Sequence, residues 1–181
     1  MTKKEKAAAL VAALEQEYPD AICSLDYEQP YQLLISVRLA AQCTDARVNQ
    51  VTPILFKVYP TLESLAEANV ADVAEIVRPC GLGNTKAQDI VAMCQMLLTQ
   101  YGGVVPDTME ELLKLPGVGR KTANLILGDV YGKPAVVCDT HCIRITNLMG
   151  LTTSKNPLQV EKQLRAILDP EKSNDFCHRL V

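Results

Sequence analysis

The segment that decides the fold is Leu115-Pro116-Gly117-Val118-Gly119-Arg120-Lys121-Thr122-Ala123-Asn124. The residues before it, 109–114, have the composition of a short helix, and residues 121–130 indicate a second, apolar helix. Between them, residues 116–119 form a turn so tight that only a glycine-rich segment can make it. The sequence therefore predicts two helices joined by a hairpin.

The start of the second helix is suited to binding an anion. The backbone N–H groups of the hairpin have no partner within the helix, and with the helix dipole they favour a bound phosphate. Lys121 lies in the first turn, where the dipole disfavours a positive charge and so favours an uncharged, nucleophilic amine. A lysine that only pairs with phosphate is the alternative interpretation.

Charge is distributed unevenly along the chain. The 181 residues carry a net charge of −3, which argues against indiscriminate binding to nucleic acids. The middle of the chain is nevertheless positive, because the charged residues between 114 and 144 are five cations and two anions: Lys114, Arg120, Lys121, Lys133 and Arg144 against Asp129 and Asp139. A local basic face is therefore compatible with an acidic protein.

Cysteine and histidine usage argues against disulfides and zinc. None of the seven cysteines forms a Cys-x-x-Cys pair, and neither histidine, His141 or His178, has a metal-type spacing. We therefore expect reduced, buried thiols and no metal site. No apolar run is long enough to span a bilayer, and the charged start of the chain does not resemble a secretory signal. We expect a cytoplasmic protein.

Helical periodicity dominates, and the only β-prone run, residues 136–138, is short. We predict an all-α fold whose core is aliphatic, because 48% of the residues are apolar and only 4% aromatic. Helices are predicted at 2–18, 30–42, 44–59, after Thr61, after Asn69, from a turn at 80–86 to Tyr101, at 109–114, at 121–130 and from Asp139 to Met149, with two more opening at Asn156 and at residues 169–171. Capping boxes are predicted at Thr108 and Asn156.

The hairpin, together with Val137-Cys138-Asp139-Thr140-His141, resembles the endonuclease III family of the helix-hairpin-helix DNA glycosylase superfamily, which carries a Gly-Pro-Asp element after the hairpin. The resemblance covers nearly the whole chain. It implies two helical lobes, a bundle of residues 21–131 that contains the hairpin and a second lobe of residues 1–20 and 132–181. The active site is then expected in the cleft between the lobes.

The resemblance implies a base-excision-repair DNA glycosylase with abasic-site lyase activity that removes oxidised pyrimidines from duplex DNA. It assigns Lys121 as the nucleophile, which forms a Schiff base with the opened sugar and permits β-elimination, and Asp139 as the assisting carboxylate. Asp139 follows Lys121 by eighteen positions, enough for one helix and a turn. The alternative for Asp139 is a helix N-cap, a role that it can also hold while catalytic.

DNA contacts are implied at several further positions. A damaged base must leave the stack before it can be attacked, and the family fills the gap with a glutamine and a leucine, here Gln42 and Leu82. For Gln42 the plain alternative is a polar residue at a helix end. The residues expected to bind DNA are Gln42, Leu82, Gly117, Val118, Gly119, Arg120, Thr140, His141 and Arg144; ordinary solvated side chains are the alternative for the arginines and His141.

The end of the sequence bears on the expected cofactor. Residues 174–181 are helix-compatible, but the chain stops without a cap, so we expect residues to be missing after Val181. The family's C-terminal region supplies four cysteines that hold a 4Fe-4S cluster, and this quartet is absent; Cys177 precedes its place and does not substitute for it. We therefore expect no cofactor in this chain and a cluster only in a longer protein.

The expected partner is double-stranded DNA that contains damaged bases or abasic sites, bound by a monomer associated with the nucleoid. Two alternatives remain open. The enzyme can act on a different lesion, such as an oxidised purine or a mismatched base, although Lys121 argues against the adenine-removing relatives. The chain can also be a helix-hairpin-helix DNA-binding module without catalysis.

Overall fold

The computed structural model describes residues 1–181, and all of its regular secondary structure is helical. Its helices are α1 Lys3–Glu17, α2 Pro30–Ala40, α3 Asp45–Val58, α4 Leu62–Ala66, α5 Val70–Val77, α6 Gly83–Tyr101, α7 Met109–Leu112, α8 Arg120–Asp129, α9 Thr140–Leu148, α10 Pro157–Ile167 and α11 Ser173–Leu180, with a 3₁₀ turn at Arg78–Cys80 before α6. The prediction of an all-α fold is confirmed. No helix combines the length and the apolar character needed to cross a membrane.

The chain divides into two compact units. The middle unit is Ser24–Ile126, and the terminal unit consists of Met1–Cys23 with Leu127–Val181, so that the division falls within α8.

In the middle unit, α6 packs against α2, α4 and α5. Helix α2 is buried along most of its length, and its side chains Leu33, Leu34, Ile35 and Leu39 are fully enclosed. From α6, Ile90, Cys94 and Leu97 complete this aliphatic core. The expected aliphatic packing is therefore present, with Tyr31 and Phe56 in edge-to-face contact, their ring centroids 6.3 Å apart.

In the terminal unit, α1 packs against α10 and α11, and α11 also packs against α9. Phe176 of α11 and Ala7 of α1 are fully buried. The start of the chain is tied to its end by Arg179, whose Nε donates to the carbonyl oxygen of Tyr18 at 3.1 Å.

Four predicted helix ends differ from the structure by two residues or more. Helix α7 ends at Leu112 rather than at residue 114. Helix α2 stops at Ala40 rather than Gln42, because Gln42 adopts a left-handed backbone with φ of 58°. Helix α6 begins at Gly83, inside the predicted turn. Helix α11 begins at Ser173, because Asp169 forms a separate turn in which its Oδ1 accepts from the backbone N–H of Glu171 at 3.0 Å.

Both predicted capping boxes are only half formed. Asn156 accepts from the backbone N–H groups of Leu158 at 2.9 Å and Gln159 at 3.3 Å, but its own N–H donates to Oγ of Ser154 at 3.0 Å and not to the Gln159 side chain. Thr108 accepts from the backbone N–H of Glu111 at 3.3 Å, as a cap requires. The Glu111 side chain does not return to Thr108, because it accepts from the Tyr101 hydroxyl at 2.6 Å and from Lys114 at 3.0 Å.

Candidate active site and DNA interface

The predicted hairpin links α7 to α8. Leu115 and Val118 are buried and fix its two sides, and the N–H of Val118 donates to the Leu115 carbonyl at 3.2 Å. Gly117 has φ of +74°, which L side chains rarely adopt. Gly119 has open space at its Cβ position. The hairpin is therefore anchored by apolar residues and exposes its glycine backbone.

An ion pair from two other helices lies directly beneath the hairpin. Arg38 near the end of α2 donates from Nε to Oδ2 of Asp89 on α6 at 2.7 Å, and both side chains are largely shielded from solvent. A Cβ added at Gly117 would lie 2.9 Å from Cδ of Arg38 and 3.0 Å from Oδ2 of Asp89. A glycine is therefore required at position 117 for two reasons: its positive φ and the close approach of the Arg38 and Asp89 side chains.

Lys121, the nucleophile predicted from the sequence, is exposed in the first turn of α8. Its amine makes no hydrogen bond or ion pair within the chain. The next residues turn inward, since Thr122 and Asn124 are buried. Arg120 is also exposed and opens α8. The helix start thus presents two cationic side chains directly after the hairpin, at a helix N-terminus, where backbone N–H groups without intrahelical partners favour an anion.

Gln42 and Leu82 share an unusual conformation. They are the only residues other than glycine with positive φ, 58° and 49° respectively. Both are exposed, and the Leu82 side chain is 57% accessible despite being apolar. Such strained backbone persists only where the surroundings hold it and is typical of functional sites. The structure therefore sets these two residues apart from ordinary turns.

Asp139 is the N-cap of α9, as predicted. Its Oδ1 accepts from the backbone N–H of Cys142 at 2.7 Å, while Oδ2 has no hydrogen-bond partner within the chain. Thr140, His141 and Arg144 are exposed along the start of α9, and Nη2 of Arg144 lies 3.5 Å from Nδ1 of His141. Lys121 belongs to the middle unit, whereas Asp139 and these three residues belong to the terminal unit.

Sequence reasoning missed the supports of the site. Arg38 and Asp89 are absent from the predicted site, although Arg38 is the only charged residue of α2. Lys86, which is fully buried, was not singled out either. A charged residue at an inward position of an amphipathic helix is the signal that could have found all three, because such a charge needs a partner.

The cysteines present do not fit an iron–sulfur cluster. No group of three or more His, Cys, Asp or Glu side chains is arranged to hold a metal ion. Five of the seven free cysteines are buried: Cys80, Cys94, Cys138, Cys142 and Cys177. Burial raises the pKa of Cys94 to about 12, which keeps it a thiol rather than the thiolate that metal binding needs.

The sequence and the fold of this chain match proteins of DNA repair. The family described as HhH-GPD superfamily base excision DNA repair protein matches residues 35–170. Endonuclease III of Synechocystis sp. is 41% identical over 179 residues, covering 98% of this chain and 82% of that protein. The chain belongs to the HhH-GPD superfamily of base excision DNA repair proteins.

Solved structures agree with this assignment. The structure of a trapped endonuclease III–DNA covalent intermediate superimposes with a TM-score of 0.93 at 39% identity, over 99% of this chain and 85% of that one. A non-covalent endonuclease III–DNA complex gives 0.94 at the same identity and coverage. The predicted family is confirmed, and with it the class of activity, a base-excision-repair DNA glycosylase with abasic-site lyase activity.

Proposed function

We propose that this glycosylase removes oxidised pyrimidines from duplex DNA with Lys121 as nucleophile and Asp139 as the assisting carboxylate. The observation that carries the proposal is the Lys121 amine, which is exposed, lies at a helix start and has no partner in the chain. A lysine held for structure would have a carboxylate or carbonyl partner. The relative that was trapped in a covalent complex with DNA supports a mechanism that uses a covalent nucleophile.

The reaction follows from these two groups. The Lys121 nitrogen attacks C1′ of the deoxyribose as the C1′–N bond to the base breaks, and the base leaves as an anion that takes a proton from water. Asp139 accepts the proton of the attacking amine and stabilises positive charge on the sugar through its unpartnered Oδ2. The proton held by Asp139 passes to O4′ as the C1′–O4′ bond breaks, which opens the sugar to a Schiff base at Nζ. A C2′ proton is then lost to water while the C3′–O bond breaks and the 3′ phosphate leaves, and hydrolysis of the Schiff base releases the lysine.

Binding is divided among three groups of residues in this proposal. The N–H groups of Gly117, Val118 and Gly119 hold a phosphate, with Arg120 beside them. Gln42 and Leu82 enter the stack and fill the gap left by the extruded nucleotide. At the start of α9, Thr140, His141 and Arg144 contact the backbone of the DNA. The protein acts as a monomer on damaged or abasic duplex DNA.

A 4Fe-4S cluster of the family's type has no part in these steps. Because the seven cysteines of this sequence form no metal-binding group, such a cluster requires cysteines other than these seven. We expect this 181-residue polypeptide to be isolated without stoichiometric iron or acid-labile sulfide.

Borohydride trapping on an abasic duplex tests the proposal. The unaltered chain should form a covalent complex, and Lys121→Gln should abolish it while the helical content stays unchanged. Lys155→Gln is the matched control, since Lys155 is also exposed, lies on the loop before α10 and should trap like the unaltered chain. If the unaltered chain binds the duplex but gives no trapped complex, a non-catalytic DNA-binding module is the better description.

A further inference from the structure

A buried lysine joins the two strained turns of the middle unit. Lys86, on the first turns of α6, has no exposed surface. Its Nζ donates three hydrogen bonds, each of 2.8 Å, to the carbonyl oxygens of Leu39, Ala41 and Cys80. The first two carbonyls precede Gln42 at the end of α2, and the third lies two residues before Leu82.

The ammonium is fully satisfied in this position. An ammonium has three donors and no acceptor, and here each donor meets one carbonyl. Leu39 and Ala41 lie at the end of α2, where carbonyls lack intrahelical partners and the helix dipole favours a cation. Burial, with a smaller contribution from Arg38, lowers the pKa of Lys86 below its usual value, and the nearby Cys80 and Cys43 side chains oppose this shift.

Burying the charged amine of Lys86 carries a desolvation penalty that packing alone does not require. An apolar side chain of similar volume would fill the space without the desolvation cost. What an apolar side chain cannot do is bind carbonyls from two separate turns through one atom. The three bonds fix the distance between the turn that carries Gln42 and the turn that carries Leu82. Both residues are held in left-handed backbone, with φ of 58° and 49°.

We infer that Lys86 is a positioning residue that locks the Gln42 and Leu82 turns into one rigid wedge for opening the DNA stack. The inference rests on the proposed roles of Gln42 and Leu82. Lys86 does not touch DNA, because all of its donors are used inside the protein. Its effect is exerted on the extrusion of the damaged nucleotide, which precedes the attack by Lys121.

The first test compares two reactions of Lys86→Met, which keeps the length of the side chain and removes its donors. Excision of an oxidised pyrimidine from an intact duplex under single-turnover conditions should slow by about 10- to 100-fold, as expected for a misplaced positioning group. Borohydride trapping at a preformed abasic site, where no base has to be extruded, should stay within about twofold of the unaltered chain. Equal losses in both reactions would overturn the inference.

A double-mutant cycle locates the effect. If Lys86 acts through the two turns, Lys86→Met should have little further effect on excision in a Gln42→Ala, Leu82→Ala background. Full additivity in that background would contradict the inference. Fluorescence of 2-aminopurine placed opposite the lesion should report less unstacking by Lys86→Met than by the unaltered chain.

The experiments also distinguish misfolding of the variants from a failure of the proposed function. If circular dichroism shows that Lys86→Met does not fold, Lys86→Gln, which keeps an amide donor, replaces it in the double-mutant cycle. If neither variant folds, Lys86 is needed for folding and the inference fails. If the unaltered chain shows neither excision nor trapping, the proposed function fails. In that case the 2-aminopurine fluorescence still tests the wedge. The unaltered chain should unstack the base opposite the lesion, and Lys86→Met should not.

Discussion

Single residues in this protein can combine a structural role with the chemical role proposed for them. Asp139 is the clearest case, because one carboxylate oxygen caps α9 and the other has no partner in the chain. The sequence left open whether this aspartate is a cap or a catalytic group. The structure shows the cap and leaves an oxygen for chemistry, so the two interpretations are compatible.

Substitutions at Asp139 should separate the two roles. Asp139→Asn keeps a capping oxygen and should leave the free energy of unfolding nearly unchanged, whereas Asp139→Ala should lower it by about 1 kcal/mol. Both should lose excision by at least about 100-fold, because neither has a carboxylate. Urea unfolding and single-turnover kinetics measure the two effects. An active Asp139→Asn variant would remove Asp139 from the chemistry.

The two hairpin glycines should also respond differently. Gly117→Ala places a methyl group at φ of +74° and against Arg38 and Asp89, so we expect it to lower the free energy of unfolding by about 1–3 kcal/mol. Gly119→Ala has open space and should be nearly neutral for stability. Thermal unfolding measures both. Weaker DNA binding by a stable Gly119→Ala would then report a phosphate contact rather than misfolding, whereas unchanged binding would argue against that contact.

At the scale of elements, the ends of helices were harder to predict than their existence. The N-caps Thr44, Thr61, Asn69 and Asp139 were readable because their side chains act locally. The left-handed backbone of Gln42 was not readable, because neither its residue type nor its neighbours require it. Its conformation is supported by Lys86, forty-four positions further along the chain, and such long-range support leaves no periodic signal.

A second long-range contact in the terminal unit joins the end of α8 to α11. Oδ1 of Asp129 accepts from Nδ2 of Asn174 and lies 2.8 Å from Nε2 of His178. Burial alone would raise the pKa of Asp129, but these two partners outweigh it and hold that pKa below the ordinary value of 3.8. The carboxylate therefore stabilises the folded state above its unfolded pKa, and the contribution is lost as the pH falls through the lower, folded-state pKa.

The contacts of Asp129 with Asn174 and His178 predict how acid lowers the free energy of unfolding. The free energy of unfolding should decrease as the pH falls below about 4, and part of that slope should vanish in Asp129→Asn, which no longer titrates. Urea unfolding at several pH values between about 2 and 6 measures the slope. Asp26→Asn is a control with an exposed carboxylate. An identical slope in Asp129→Asn and in the unaltered chain would show that the Asp129 carboxylate does not contribute to the loss of stability in acid.

For the whole molecule, the sequence was sufficient for the fold class and the family, because the hairpin and the Asp-Thr-His segment are local motifs. The division into lobes at residues 21 and 131, and the meeting of Lys121 with Asp139, stay predictions. The net charge of −3 is a property of the whole molecule, and a protein of that charge binds DNA only through a local cationic surface.

The dependence of DNA binding on salt should reflect that local surface. The logarithm of the affinity for duplex DNA should fall linearly with the logarithm of salt concentration, and Arg144→Gln should reduce the slope by about 1, as expected for one lost phosphate contact. Fluorescence anisotropy over a salt series measures the slope. Arg165→Gln, on α10, should leave it unchanged. If both variants keep the original slope, Arg144 does not contact a phosphate.

The most direct measurement is to locate the covalent bond to DNA. After borohydride reduction on an abasic duplex, proteolysis and mass spectrometry should find the sugar remnant on the Nζ of Lys121 and on no other lysine. A remnant attached to a different lysine or to the amino terminus of Met1 would contradict the assignment of the nucleophile, whatever the activity of the protein.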